Sequence, residues 1–139
     1  MTSPRVTAIL ETCLYCPDLA AAEDFYVRVL GLELFGKQEG RHLFFRCGDG
    51  MLLLFNPKAT RAESAPGDLE VPPHGAEGPG HVSFRATEAE LEHWRRRLTA
   101  CGVAIESEVA WPGGGRSIYF RDPAGNSLEL ATPAIWGSE

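Results

Sequence analysis

The sequence is short of several things, and each shortage removes a class of protein. Among its 139 residues there are four cysteines and fewer basic than acidic side chains, 13 Lys and Arg against 19 Asp and Glu. No apolar run approaches the roughly 18–20 residues that span a bilayer. A formal net charge of −6 with histidine neutral leaves no clustered excess of base for phosphate, so nucleic acid is excluded as a partner. The one basic triplet, Arg95-Arg96-Arg97, falls in an acidic helical pattern and reads as a solvated face. Met1-Thr-Ser-Pro-Arg lacks the apolar stretch of a signal peptide. The expectation is a soluble, cytoplasmic protein with no membrane partner, whose Cys13, Cys16, Cys47 and Cys101 stay reduced. Cys13-Leu14-Tyr15-Cys16 has C-x-x-C spacing, but in an alternating strand pattern positions i and i+3 face opposite ways, whereas a redox dithiol sits at a helix N-terminus.

What is present suffices for one core: 44% of the residues are hydrophobic and the length suits a single domain over 1–139. The chain repeats one pattern twice. A strand-like run over 6–16 leads to Asp18 as a helix cap, then to Leu19, Ala22, Phe25, Val29 and Leu30 at helical spacing, stopped by Gly31. Strands follow at about 32–38, 41–47 and 51–56, the last two joined through Gly48-Asp49-Gly50. From Gly80 the order restarts with strand 81–85, and the capping box Thr87-Glu88-Ala89-Glu90 opens a helix with Leu91, Trp94, Leu98 and Cys101 on one face, ended by Gly102. Strands at about 103–109, 116–121 and 127–132 complete it, with the turn Asp122–Asn126 before the last. The fold class expected is α+β, two tandem βαβββ modules (6–56 and 80–136) joined by a loop, 57–79. Such a unit is too small to cover both faces of its sheet alone. Two copies must therefore pack together, within the chain or across a homodimer. The connecting loop is rich in Pro and Gly and long enough to cover a site.

Polar residues on otherwise apolar strands locate the chemistry. Glu129 shares a face with Ser127 and Ala131, His81 with Ser83 and Arg85, and Glu11 with Ile9, Cys13 and Tyr15. Glu11 and His81 stand 70 residues apart, at equivalent positions of the two modules. If the curled sheets enclose one cavity, Glu11, His81 and Glu129 converge there, and neighbouring buried carboxylates call for a cation. Two oxygens and one nitrogen suit a divalent metal.

The segments Cys16-Pro-Asp-Leu-Ala-Ala-Ala-Glu-Asp-Phe-Tyr-Val-Arg-Val-Leu-Gly-Leu32, Gly80-His-Val-Ser-Phe84 and Tyr119-Phe-Arg-Asp-Pro-Ala-Gly-Asn-Ser-Leu-Glu129 resemble the vicinal oxygen chelate superfamily, the glyoxalase, bleomycin-resistance and extradiol-dioxygenase group. The resemblance implies a glyoxalase-like fold, curled mixed sheet around a cavity, with metal ligands from the first strand of each module and from the last strand: Glu11, His81 and Glu129. Glu11 stands where the group often carries His, so the site's formal charge falls toward zero against a 2+ ion. That favours Lewis-acid chemistry with Mn, Zn, Ni, Co or Mg over Fe-dependent dioxygenase chemistry. Met51-Leu-Leu-Leu-Phe55 is apolar where glyoxalase I places a fourth ligand.

If the Asp122–Asn126 hairpin is symmetric, Tyr119 pairs across from Glu129 and Ser117 from Ala131, which makes Tyr119 a candidate general acid. His74 in the loop is a candidate acid or base, and Arg116, Cys13 and Trp111 are candidates for contact with a small-molecule substrate. The leading expectation is a divalent-metal lyase, isomerase or thiol transferase acting on a substrate with vicinal oxygens. The competing one is a metal-free, ligand-sequestering protein of the bleomycin-resistance kind, with an extradiol-type dioxygenase third.

Overall fold

A computed structural model describes residues 3–137. Strand β1, Glu11–Tyr15, is followed by helix α1, Leu19–Asp24. The Asp18 side chain caps α1 by accepting from Ala21 N–H at 3.1 Å. Plain helical spacing is expected through Leu30, but the chain widens into a π-helical turn over Phe25–Val29. Its extra residue lets two adjacent pairs, Phe25-Tyr26 and Val29-Leu30, all point inward, and all four are buried. Gly31 then ends the helix at φ +70°, a conformation that disfavours any side chain.

Strands β2 (Glu33–Gln38), β3 (His42–Cys47) and β4 (Gly50–Phe55) complete the first sheet in the order β1-β4-β3-β2, with β1 and β4 parallel. The short helix α2, Pro57–Thr60, opens the connecting segment, capped by Asn56. The second sheet repeats the layout: β5 (His81–Arg85), α3 (Glu88–Ala100), β6 (Ser107–Ala110), β7 (Arg116–Arg121) and β8 (Ser127–Ala131), in the order β5-β8-β7-β6. The capping box forms as its sequence requires, Thr87 Oγ1 accepting from Glu90 N–H and the Glu90 carboxylate from Thr87 N–H.

Two strands are shorter than their hydrophobic patterns. The run from residue 6 becomes a strand only at Glu11, because β4 begins at Gly50 and its last bond to this segment is Met51 N–H to the Leu10 carbonyl at 3.1 Å. Val6, Ile9 and Leu10 are left 92%, 81% and 75% exposed. In the second module, Val103 and Ile105 pack against the core from non-strand backbone, and β6 starts only at Ser107.

One face of each sheet enters a single shared core. Leu14, Leu43, Phe45, Leu52 and Leu54 of the first module meet Leu91, Leu98, Ile118, Phe120, Leu128 and Leu130 of the second. Polar bonds fasten this junction. The buried Asp122 carboxylate accepts from Tyr26 Oη (2.8 Å), Asn126 Nδ2 (2.9 Å) and the Ala124 and Asn126 N–H groups (2.9 Å each). Asn126 Nδ2 donates to the Tyr15 carbonyl at 3.1 Å, and its Oδ1 accepts from Gly80 N–H at 2.7 Å. Burial, reinforced by the Asp122 charge, pushes the Tyr26 phenol and the Cys16 thiol far up. Cys16 is therefore a packed thiol, while Cys13 is exposed on the opposite face, and all four cysteines are free.

Candidate metal centre and adjoining groove

The second face of the second sheet carries the polar cluster. Parallel pairing aligns His81 with Ser127 and Ser83 with Glu129, and the hairpin sets Tyr119 directly opposite Glu129, the register its symmetric turn predicts. His81 and Glu129 meet: Nε2 lies 3.2 Å from Oε1, with the Glu129 side chain 7% exposed. His81 Nδ1 lies 2.9 Å from the Ser127 carbonyl, which can only accept, so Nδ1 carries the proton. Nε2 of a neutral ring then turns a lone pair toward a carboxylate oxygen. Two acceptors at that distance repel unless a proton or a cation lies between them. Metal bonds of about 2.1 Å to each donor span such a separation without distortion, so the pair fits a divalent cation.

The second Glu129 oxygen is held from behind. Ser117 Oγ bonds Oε2, and Trp111 Nε1 donates to Ser117 Oγ at 2.9 Å. Trp111 thus supports Glu129 through Ser117, a residue whose part the sequence pattern alone did not mark. The only hint was the register that puts Ser117 and Tyr119 on the face of Glu129. The Tyr119 ring stacks beside His81 with centroids 6.3 Å apart. Partial burial, then the Glu129 charge, raise its phenol pKa, so it holds its proton to higher pH. Arg116 pairs with Glu88 at 3.6 Å and is not among the groups around the His81–Glu129 pair.

Glu11 lies elsewhere, on the free face of the first sheet. Among the described residues no three His, Cys, Asp or Glu side chains gather closely enough to hold a metal. Glu11 instead lines a groove of about 460 Å³ whose walls include Cys13, Tyr15, Arg41, Phe44, Phe55 and His74. Tyr15 Oη and His74 Nδ1 lie 2.6 Å apart, and His74 N–H donates to the Thr60 carbonyl, so the connecting segment is fastened over the Tyr15 end of β1. His74 therefore sits with Tyr15, not with His81 and Glu129.

A family model, Glyoxalase/Bleomycin resistance protein/Dioxygenase superfamily, matches residues 8–130. The chain belongs to this superfamily. Members of the superfamily with solved structures include a lactoylglutathione lyase from Agrobacterium tumefaciens, 44% identical, with a TM-score of 0.91 over 97% of this chain and 100% of that one. A glutathione transferase, FosA, from Serratia marcescens is 32% identical over 114 residues, 81% of this chain and 72% of its own length. A metallothiol transferase, FosB, from Bacillus licheniformis is 24% identical over 98% of this chain and 82% of its own. The match spans both modules, and the glyoxalase-like fold expected of the sequence is the one observed. Among the described residues no helix is long and apolar enough to cross a membrane.

Proposed function

We propose that the protein is a divalent-metal-dependent enzyme of the glyoxalase superfamily, a lyase, isomerase or thiol transferase whose small substrate offers adjacent oxygens to the metal. The observation that carries this reading is the His81 Nε2–Glu129 Oε1 approach of 3.2 Å, with the outer atoms of both side chains already engaged by Ser127 and Ser117. Outer-shell bonds of this kind aim a ligand and fix its tautomer. A cation bound there supplies Lewis-acid polarisation of substrate oxygens.

Glu11 is the third ligand, brought by a second copy of the chain. The free face that bears Glu11 and the free face that bears His81 and Glu129 both lie outside the shared core, and the exposed Val6, Ile9 and Leu10 precede Glu11 on a segment that is not itself a strand. A homodimer that covers this segment also closes the site. Two carboxylates and a neutral imidazole bring the formal charge against a 2+ ion to zero, which favours Lewis-acid chemistry over oxygen activation. Tyr119, protonated and beside Glu129, is the proton donor to an oxygen that gains charge during reaction. The names of the relatives, a lyase and two thiol-using transferases, support this range of reactions.

Subunit complementation tests both parts. Glu11→Ala and His81→Ala each lose stoichiometric metal when purified without chelator, and mixing and refolding the two restores metal to one site per mixed dimer. No metal in the wild-type protein, with ligand binding indifferent to chelator, returns the reading to a ligand-sequestering protein. Metal retained by Glu11→Ala alone shows that the site forms without a second copy.

A further inference from the structure

The groove on the first sheet has opposite chemistry at its two ends. Pairing sets Glu11 beside Met51 at one end, Cys13 beside Leu53 and Phe44 in the middle, and Tyr15 beside Phe55 and His42 at the other. Four residue steps along the strand separate Glu11 from Tyr15, roughly 13 Å. Between them the floor is apolar: Leu53 and Phe55 are 7% and 6% exposed. The far end is walled by rings, with Phe44 against Phe55 edge to face at 5.9 Å and His74 against Phe55 at 4.7 Å.

A cation stands over this ring-lined end. The Arg41 guanidinium carbon lies 5.6 Å from the Phe55 ring centroid. Arg41 Nη1 donates to His42 Nδ1 at 2.7 Å, and the His42 ring stacks flat on Phe44 at 3.9 Å. The guanidinium is thus oriented by a neutral partner. Arg41 forms no ion pair among the described residues, whereas nearby Arg61 is matched by Glu77 at 3.1 Å. On the same side, His74 has Nδ1 engaged by Tyr15 and keeps Nε2 for a ligand.

We infer that Arg41, with His74 and Tyr15, forms a carboxylate-binding subsite, and that the substrate is a carboxylate with a flat apolar body, of the arylalkanoate type. The carboxylate lies on the Arg41 fork, the body lies over Phe44, Leu53 and Phe55, and the reacting oxygens extend toward Glu11. A planar guanidinium with unused donors matches a carboxylate in a way that a primary amide does not reproduce. This assignment deepens the metal-enzyme reading through the direction of the groove, but the subsite itself needs no metal.

The test is calorimetric titration of the full-length protein with 3-phenylpropionate and with 3-phenylpropionamide, before and after treatment with chelator. The acid binds about tenfold or more tightly than the amide, equally with and without chelator, and Arg41→Gln weakens the acid by about 10–100-fold while leaving the amide unchanged. Arg41→Lys, which keeps the charge but loses the fork, falls between. The assignment is overturned if neither probe binds, if acid and amide bind alike, or if Arg41→Gln retains the acid. It is also overturned if chelator abolishes acid binding, because the carboxylate then sits on the metal. Metal content measured alongside reports on the metal reading separately: an unmetallated protein that still prefers the acid keeps the subsite and sinks the metal.

Discussion

The two modules lay their strands down in one register and fill it with opposite chemistry. Where the second sheet aligns Ser83, Glu129 and Tyr119, the first aligns Cys13, Leu53 and Phe44. The backbone offers both sheets the same free face, so the difference lies entirely in side chains. In the second module a nearly buried carboxylate is held by Ser117 and faces an imidazole. In the first, the equivalent position is a buried leucine on the floor of an apolar groove. A repeated fold can thus divide labour, one half presenting charge and the other an apolar groove.

The most direct way to break this asymmetry is Glu129→Leu, which gives the second sheet the residue of the first. Metal content should fall to background and turnover by more than about 100-fold, beyond the usual loss for an outer-shell partner. Thermal stability of the metal-free protein should fall by about 1–2 kcal/mol, since the buried Ser117 hydroxyl loses its acceptor while the half-exposed His81 turns to water. Melting curves with chelator read this second effect.

Next in size is the joint between the halves. Asp122→Ala removes the acceptor shared by Tyr26 and Asn126 and leaves buried donors without partners. A cost of about 3 kcal/mol is expected, a fall of roughly 10 °C in Tm for a chain of this length. If the modules instead melt separately, calorimetry will resolve two transitions in this variant.

Ser117→Ala sharpens the contrast without removing a ligand. It frees Trp111 and one Glu129 oxygen, and metal affinity should drop about 10–100-fold, measured by competition with a chromogenic chelator. A drop in melting temperature with unchanged metal affinity would make Ser117 a packing residue only.

The smallest effect is a pH dependence. Tyr26 holds its proton far above the ordinary value of 10.0 because it is buried against Asp122. Above that pH the unfolded tyrosine ionises while the folded one does not. Stability carried by Tyr26 is therefore complete below pH 10 and declines above it, by about 1.4 kcal/mol per pH unit. Tyr26→Phe should be about 1 kcal/mol less stable at neutral pH and fall less steeply above pH 10, as followed by urea unfolding.

Much of this was legible from residue order because it is local. Alternation alone put Glu129 on a face with Ala131, and the five-residue turn Asp122–Asn126 fixed Tyr119 opposite it. Asp18, Thr87 and Glu90 cap their helices through contacts only three residues long. The π-helical turn was not legible, since it arises where Phe25, Tyr26, Val29 and Leu30 must all be buried at once. Nor was the role of Asp122, whose turn geometry is local but whose bond to Tyr26 spans 96 residues. The parts played by Arg41, His42 and Ser117 were hidden for the same reason: each depends on a neighbour from another strand or turn of the chain.

By itself, then, the sequence determined the duplicated βαβββ order, the register of the Asp122–Asn126 hairpin and the side chains that share each face. These follow from periods of two and 3.6 residues and from short turns, which need no knowledge of the rest of the molecule. Only the tertiary structure decided which faces close on each other. It buried the helix-covered sides of both sheets in one core, brought His81 to Glu129 and His74 to Tyr15, and left Glu11 on the other sheet with an uncovered apolar segment before it. That choice rests on how much apolar surface each packing removes from water, a property of the whole surface and not of any stretch of chain.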